Sequence, residues 1–574
     1  MDAGKRTIND IFNGNRILEI PFFQRAYVWR EDQWERLLED LKYVSKTNKP
    51  YFLGSVILKQ KPTSSTGSGD LRTVIDGQQR LTTLNIFFKV LCLKQGIPSM
   101  FDRIFRLMST NKIALLHNHM DIASFESILN LNDLIDIEDT DNITGAYQYF
   151  KEYIIAEDFD IQNILLRVLF VGIDLDSSED EQQIFDTINS LGVKLTTAEL
   201  LKNYFFNRED LKNYDKYWKN IFEKDKEQQE YWDNEITTGR FKRTFIDLFF
   251  YAYLQIKIQE DGLEVTTEDK TEFAKVDTLF ESYKKFIKEY DVDKNDILLE
   301  ITEYAALFHE NFNYDVINSE LTSDYGIERI NAIIWGLETT TLLPYALYIL
   351  KNVPDEKEQK DLFEIIESYL MRRMVVHLTT KNYNQLFNER LISNEILTKE
   401  EFVSYINRNP DNVNYCPNNG ELKEGFDKAY LVNKQSAGIL YMIESKIRNR
   451  SRHATMLLGI NDYSLEHLMP KKWENNWGKI SNKELRDIRN RKLLTLGNLA
   501  IIPQSLNASI RDSNWKTKKK GKLDKPGLIY YSAGIETLAP YLELEEWNES
   551  EIEKRAKFLY NKAVKIWKYD EGDI

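Results

Sequence analysis

Residues 73–84, with the sequence TVIDGQQRLTTL, constrain the fold more than any other stretch of this chain. The three β-branched residues at its start predict the end of a strand. Asp76 and Gly77 form a sharp turn, because glycine adopts the positive φ that such a turn requires, and apolar residues at helical spacing follow. The free N–H groups at the start of a helix bind anions. The stretch therefore predicts an α/β region with an anion site at a strand-to-helix corner.

This corner, residues 76–80, carries four polar side chains whose chemistry suits a nucleotide. Asp76 can bind a metal or a ribose hydroxyl, and the planar guanidinium of Arg80 can bind a phosphate. Gln78 and Gln79 can form hydrogen bonds with a base or a phosphate. A polar corner that only caps a helix is the alternative, and these residues alone leave both interpretations open.

A second stretch, residues 20–29, places Gln24 and Arg25 among aromatic residues directly after a short apolar strand. Two Gln-Arg pairs in one α/β region favour a single pocket for a polyanion. The chain contains neither the G-x-x-x-x-G-K-[ST] nor the G-x-G-x-x-G motif. A nucleotide would therefore be bound without a P-loop.

Together, IPFFQRAYVW at residues 20–29 and DGQQRLTTL at residues 76–84 resemble the N-terminal domain of the GmrSD-type family, the modification-dependent (type IV) restriction endonucleases. The resemblance implies an α/β domain related to ParB and sulfiredoxin that binds and hydrolyses a nucleoside triphosphate, such as ATP or GTP, and senses modified DNA. It implies a nucleotide or sensing pocket formed by Gln24, Arg25, Asp76, Gln78, Gln79 and Arg80.

The pattern along the chain predicts a mostly helical α+β protein of several domains. A length of 574 residues suits roughly two to four domains. Strands and helices alternate through residues 1–210, and helical spacing dominates a connector at residues 211–430. Within that connector, residues 329–350 predict one helix that is kinked at Pro344. Residues 431–574 carry a second group of polar motifs.

Charge is unevenly distributed along the chain. The net charge is −15, yet residues 446–525 contain 19 basic against 7 acidic residues, a balance of +12 that leaves −27 for the remainder. A basic segment in an acidic chain can bring a polyanion such as DNA to one face. A solvated charged surface is the commoner alternative.

The cysteine content and the hydropathy narrow the class of protein. Cys92 and Cys416 are the only cysteines, which excludes a disulfide framework or a cysteine-zinc cluster and fits a reducing cytoplasm. The most apolar stretches are too short or too polar to span a bilayer, so no membrane partner is expected.

The second group of motifs begins at His467, in the sequence YSLEHLMP. Gly497-Asn498-Leu499 follows, then Asn507 and a lysine-rich stretch. A nuclease needs a base that activates water, a divalent metal and positive groups that hold the backbone. The order and spacing of these motifs resemble a ββα-metal (HNH) finger, specifically the C-terminal nuclease domain of the GmrSD-type family. A helix end or a hairpin edge is the alternative for the first motif taken alone.

The resemblance to the HNH finger implies a role for each of these residues. His467 is the general base, and Asn498 orients it. Glu466 and Asn507 are metal ligands, which suits magnesium or manganese because both prefer oxygen ligands. Asn507 stands where many such fingers have a histidine.

The lysine-rich stretch completes the implied site. Lys516 and Lys518 are expected to contact DNA phosphates. The whole resemblance implies a cytoplasmic anti-phage enzyme that cleaves double-stranded, modified phage DNA, is regulated by nucleoside triphosphate and can form a homodimer. Two alternatives stay open: a nucleotide-dependent DNA-binding regulator with a weak or vestigial nuclease, and a self-directed DNase toxin.

Overall fold

The computed structural model describes residues 2–21, 24, 26–47, 49–61, 70–176, 196–206, 210–238, 241–408, 413–448, 456–504, 506, 512–522, 525–532 and 534–569. The chain forms two compact units, Met1–Lys216 and Tyr217–Ile574. The boundary predicted near residue 210 lies close to this division, whereas the boundary predicted near residue 430 falls inside the second unit. Across the described ranges, no helix is both long and apolar enough to cross a bilayer.

A six-stranded mixed sheet is the frame of the first unit. Its strands, in chain order, are β1 Asp2–Thr7, β2 Ile17–Glu19, β3 Tyr51–Gln60, β4 Leu71–Asp76, β5 Leu115–Leu116 and β6 Val168–Leu175. The spatial order is β1-β6-β3-β4-β2-β5. Strand β3 is parallel to β6 and antiparallel to β4, so the strand that ends at the 76–80 corner lies inside the sheet.

Helices pack against this sheet and close its core. They are α1 Ile8–Ile11, α2 Glu31–Thr47, α3 Gln78–Lys94, α4 Pro98–Phe105, α5 Ile122–Leu129, α6 Asn142–Tyr153, α7 Ile161–Arg167, α8 Thr197–Phe205 and α9 Leu211–Tyr214. Helix α2 buries Trp34, Leu37 and Leu41 at helical spacing. Helix α3 is buried along most of its length, which fixes the corner at its start.

The second unit is mostly helical. Its α-helices are α10 Asn220–Phe222, α11 Lys226–Trp232, α12 Phe245–Lys257, α13 Thr267–Phe273, α14 Leu279–Glu289, α15 Lys294–Asn311, α16 Ile327–Asn331, α17 Leu343–Asn352, α18 Glu356–Val375, α19 Leu391–Ser393, α20 Lys399–Asn407, α21 Asn419–Lys428, α22 Asn433–Ile447, α23 Lys483–Lys492, α24 Trp515–Lys520, α25 Leu528–Ser532 and α26 Glu549–Ile566. Its strands are β7 Glu235–Thr238, β8 Phe241–Thr244, β9 Tyr463–His467, β10 Leu499–Pro503, β11 Gly521–Lys522 and β12 Lys525–Pro526.

The prediction of one kinked helix over residues 329–350 is wrong. Helix α16 passes into a π-helical segment at Ala332–Gly336, the chain then turns through Glu338 with a φ of 56°, and α17 starts a new helix. Pro344 lies in the first turn of α17, where the missing N–H breaks no helical hydrogen bond. The proline therefore begins a helix instead of kinking one.

Buried arginines tie the end of the chain to the helical middle of the second unit. Arg329 forms a two-pronged ion pair with Glu367, at 2.7 Å for each contact, and Trp567 donates its indole N–H to the same carboxylate at 3.2 Å. Arg372 donates from Nε to the carbonyl of Trp567 at 2.7 Å. These contacts explain why residues on both sides of position 430 belong to one compact unit.

Candidate functional sites

The strand-turn-helix prediction for residues 73–84 is confirmed. Strand β4 ends at Asp76, and helix α3 begins at Gln78. Gly77 between them has a φ of 101°, and a Cβ there would lie 2.9 Å from Cγ2 of Val56 and 3.2 Å from the carbonyl oxygen of Ser55. Glycine is therefore required both for the backbone conformation and for the close approach of β3.

An ion pair spans the 76–80 corner and leaves polar atoms unsatisfied beside it. The carboxylate of Asp76 accepts hydrogen bonds from the Ser55 hydroxyl at 2.7 Å and from Nη2 of Arg80 at 3.0 Å. Within the described part of the chain, the Arg80 Nε and the Gln78 Oε1 are buried without a hydrogen-bond partner. Buried polar atoms without a partner are rare in native proteins, so these two mark a place where a ligand can complete the hydrogen bonding.

Gln79 joins the two sequence motifs of the first unit. Its Oε1 accepts a hydrogen bond from the backbone N–H of Val28 at 2.9 Å, which ties the 20–29 stretch to α3. Gln24 is buried at 4% exposure, and its backbone N–H donates to the carbonyl of Pro21 at 2.9 Å. Arg25 lies outside the described residues. Gln79 thus acts here as a connecting residue.

Tyr27 anchors the 20–29 stretch through residues that the sequence did not reveal as part of the site. Its hydroxyl lies 2.6 Å from the Thr83 hydroxyl and accepts the Trp34 indole N–H at 2.8 Å. Its backbone N–H donates to Asp121 at 2.6 Å, and its carbonyl accepts from Asn142 at 3.0 Å. Burial raises the pKa of Asp121 and of the Tyr27 hydroxyl. This network fixes the motif against the helices.

A cavity of about 300 Å³ opens beside the corner. It lies between α2, the start of β3 and the first turn of α3, and its lining includes Trp29, Arg36, Asp40, Tyr51, Gly54 and Arg80. Arg80 is the one predicted site residue in that lining. The lining also includes a second arginine and three aromatic residues, of which only Trp29 belongs to a motif, so the cavity adds residues that the motifs do not indicate.

In the second unit, the two nuclease-like motifs lie on neighbouring strands. Strands β9 and β10 form an antiparallel pair in which His467 lies opposite Leu499, and Glu466 lies opposite Ala500. An antiparallel pair of strands is what the two-stranded part of the implied finger requires. Asn507, which the finger would place on its helix, lies outside the described residues.

His467 carries the imidazole of this hairpin and ends strand β9. The side chain is partly buried at the end of β9. Burial, together with the charges of Lys471 and Lys518, lowers the pKa of His467 to about 4. The imidazole is therefore neutral at pH 7, and a pKa this low also makes it a weaker base than an ordinary histidine, whose pKa lies closer to the optimum for general-base catalysis at neutral pH.

The structure corrects the roles predicted for Glu466 and Lys518. The ammonium of Lys518 is completely buried, forms an ion pair with Glu466 and donates to the carbonyl of His467 at 2.7 Å. Burial lowers the pKa of Lys518 and raises that of Glu466. A buried ammonium cannot reach a DNA phosphate, and a carboxylate that is paired with it is not free for a metal. The pair instead fixes the hairpin to α24.

Asn498 fixes the backbone that follows His467. Its Oδ1 accepts from the Met469 N–H at 2.9 Å and from the Trp547 indole at 3.0 Å, and its Nδ2 donates to the carbonyls of Met469 and Leu493 at 2.9 Å each. The carbonyl of Asn498 also accepts from the Leu468 N–H at 2.9 Å. Asn498 is therefore a positioning residue.

Gly497 and Arg555 complete this support. A Cβ at Gly497 would lie 2.3 Å from the carbonyl oxygen of Ile552, so only glycine fits between the loop and α26. Arg555 is fully buried and donates to the carbonyls of residues 496, 497 and 499 at 2.6–3.1 Å. Nothing in the sequence pattern distinguished Arg555 from the other charged residues of α26.

The remaining predicted residues differ in exposure. Lys516 is exposed on α24, as a phosphate contact requires. Trp473 and Trp515 are buried, whereas Trp477 is partly exposed. Among the described residues, no group of three histidine, cysteine, aspartate or glutamate side chains could hold a metal ion. The described part of the hairpin does not fit a metal site by itself.

Comparison with known families finds a match for each of the two regions that carry the motifs. The family described as GmrSD restriction endonuclease, N-terminal domain, matches residues 8–206, which include the 76–80 corner. The family described as GmrSD restriction endonucleases, C-terminal domain, matches residues 417–562, which include His467 and Asn498. No curated protein matches the chain. With both of its characteristic domains present in order, the chain belongs to the GmrSD-type family of type IV restriction endonucleases.

Proposed function

We propose that this restriction endonuclease cleaves modified double-stranded phage DNA at the β9–β10 hairpin, under the control of a nucleoside triphosphate bound at the 76–80 corner. The observation that carries the proposal is the neutral imidazole of His467 on a strand whose backbone is fixed by Lys518 and Asn498. A general base must be deprotonated and lie beside the attacking water, and the proposal assigns this position to the neutral imidazole of His467.

In the proposed reaction, His467 removes a proton from a water molecule as the water oxygen attacks the phosphorus of the scissile bond. The bond between phosphorus and the leaving oxygen of the sugar then breaks. General base catalysis of this kind contributes roughly 10²–10⁴-fold to the rate. Lys516, exposed on α24, is proposed to contact the DNA backbone.

A requirement for magnesium or manganese belongs to the proposal because of the family resemblance. Such an ion would stabilise charge on the scissile phosphate. Since Glu466 is paired with Lys518 and Asn507 lies outside the described residues, the reaction above assigns no step to the metal.

The test is cleavage of modified phage DNA and unmodified plasmid by the wild type and by His467→Ala, with magnesium or manganese, and with or without ATP or GTP. The control is His309→Ala, which removes an exposed histidine of α15. We expect His467→Ala to lose cleavage at least 100-fold while the control keeps it. Cleavage that survives in His467→Ala would overturn the assignment of the active site.

A second function, a nucleotide-dependent and ParB-like DNA-binding regulator, is favoured by one observation. The carboxylate of Glu466, which the sequence predicted as a metal ligand, is neutralised by Lys518. This function predicts that His467→Ala still protects cells against phage and that the purified protein binds modified DNA without cutting it. Loss of protection in His467→Ala would exclude the regulator.

A further inference from the structure

We propose that Arg36 and Arg80 together bind the phosphates of the nucleotide in the cavity beside the 76–80 corner. The inference rests on the proposed nucleotide binding by the first unit, and it adds Arg36, which no motif indicates. The two guanidiniums come from α2 and α3, and both line the cavity of about 300 Å³. That volume lies at the lower end of the roughly 300–1,000 Å³ range of small-molecule sites.

The charges around the cavity favour an anionic ligand. Across the described residues, Arg36 forms no ion pair, and the Nε of Arg80 is buried without a partner. Asp40, the one carboxylate in the lining, accepts a hydrogen bond from the Tyr51 hydroxyl. The planar fork of a guanidinium matches the oxygens of a phosphate. Arg80 is already paired with Asp76, so among the described residues Arg36 is the lining cation that has no carboxylate partner and can bind an anion.

Gly54 leaves room for the side chain of Arg80 along one wall of the cavity. Its φ is +127°, and a Cβ would lie 2.8 Å from Nη1 and 3.2 Å from Cζ of Arg80. The register between β3 and β6 shifts between Phe52 and Gly54, so the backbone bulges at this point. Any larger residue at position 54 would displace the guanidinium and also strain the backbone.

Three aromatic side chains complete the wall. Trp29, Tyr51 and Phe52 line the same cavity as the two arginines. Aromatic faces provide apolar area for a nucleobase or a ribose, whereas a site for inorganic phosphate needs only donors and cations. The combination places the phosphates between Arg36 and Arg80 and the base on the aromatic side.

The experiment measures binding of a fluorescent ATP analogue and a fluorescent GTP analogue to the full chain by polarisation. The variants are Arg36→Met, Arg36→Lys and Gly54→Ala. Arg103→Met, which removes an exposed arginine of α4, is the matched control. Thermal unfolding checks that each variant is folded. Since Arg36 is exposed, Arg36→Met is expected to fold even if Gly54→Ala does not.

We expect Arg36→Met and Gly54→Ala to weaken binding at least tenfold, Arg36→Lys to be intermediate, and the control to stay within twofold of wild type. Inorganic tripolyphosphate should compete with the nucleotide on wild type, and more weakly on Arg36→Met. Wild-type affinity in both Arg36→Met and Gly54→Ala would overturn the inference while leaving nucleotide binding at the corner intact. A wild-type protein that binds neither nucleotide would overturn the inference together with the proposed nucleotide control.

Discussion

The 76–80 corner and the β9–β10 hairpin differ in how completely their motif residues are satisfied by the protein itself. At the corner, Arg80 and Gln78 each keep a buried polar atom without a partner among the described residues, next to a cavity. At the hairpin, the Asn498 side chain makes four hydrogen bonds, and Lys518 pairs with Glu466. At the corner one motif residue, Arg80, thus lines a cavity, whereas most motif residues at the hairpin hold the fold around His467.

The two regions therefore respond differently to substitution. The side chains of the Asp76–Arg80 pair are 29% and 24% exposed, and partly exposed ion pairs contribute little to stability. The Lys518–Glu466 pair is almost completely buried, and removal of one partner leaves an uncompensated charge in the interior. Stability measurements test the difference in burial between the two ion pairs, and activity measurements test the difference in their roles.

The largest expected effect comes from Lys518→Met. This substitution leaves Glu466 buried without its partner, and breaking a buried ion pair costs about 3–5 kcal/mol of unfolding free energy. Urea titration followed by tryptophan fluorescence measures the change. The control, Lys516→Met, removes an exposed lysine from the same helix and should change stability by less than about 0.5 kcal/mol. A loss below about 1 kcal/mol for Lys518→Met would contradict the structural role of the pair.

Asn498→Ala is expected to have the next largest effect. It leaves the backbone of Met469, the carbonyl of Leu493 and the Trp547 indole without their shared partner, at a cost of about 2–3 kcal/mol. Because the Leu468–Met469 backbone follows His467 directly, DNA cleavage should fall as well. Asn461→Ala, at an exposed asparagine before β9, is the control. Full cleavage activity in folded Asn498→Ala would show that His467 does not depend on this support.

Sequence patterns predicted the local elements of both regions well, because each depends on neighbouring residues. Gly77 between β-branched residues and a helical apolar stretch was sufficient to place the strand, the turn and the helix. The continuous helix over residues 329–350 failed for the opposite reason. Helical spacing persists through Glu338, but the chain turns there with a positive φ that no apolar pattern reveals.

The parts of the sites that the sequence did not reveal depend on contacts between distant residues. Lys518 lies 52 positions after Glu466, so its burial against that carboxylate could not be inferred from a lysine-rich stretch. Arg36 meets Arg80 only because α2 and the first turn of α3 border the same cavity. The motifs therefore indicated the candidate site residues, whereas tertiary packing determined which of those residues a ligand can reach.

The pH dependence of the unfolding free energy tests whether His117, which contacts helix α3, is as buried as the Lys518–Glu466 pair of the hairpin. His117 is 2% exposed, bonds to the Thr82 hydroxyl of α3 at 2.8 Å, and has a pKa that burial lowers to about 3. Between pH 6.5 and 3 the unfolded chain binds a proton at this position that the folded chain does not. The contribution of His117 to the unfolding free energy is therefore fully present above about pH 6.5. It falls as the pH decreases, by about 1 kcal/mol between pH 7 and 5.5.

The measurement for His117 is a pair of urea titrations, at pH 7 and pH 5.5, on the wild type and on His117→Asn. The variant should lose about 1 kcal/mol less than the wild type over that interval, whatever its stability at pH 7. An equal loss in the two proteins would show that His117 is protonated in the folded state.

The smallest effect on stability is expected for Asp76→Asn, and it decides what the corner is for. The substitution weakens a partly exposed ion pair and should cost less than about 1 kcal/mol of unfolding free energy. Asp102→Asn is the matched control, because Asp102 pairs with Arg106 at the same i,i+4 spacing on α4, at 2.7 Å. Hydrolysis of ATP or GTP should fall at least tenfold in Asp76→Asn and stay at the wild-type rate in Asp102→Asn. If the two variants hydrolyse nucleotide equally well, the 76–80 corner only begins a helix, and the contrast with the hairpin disappears.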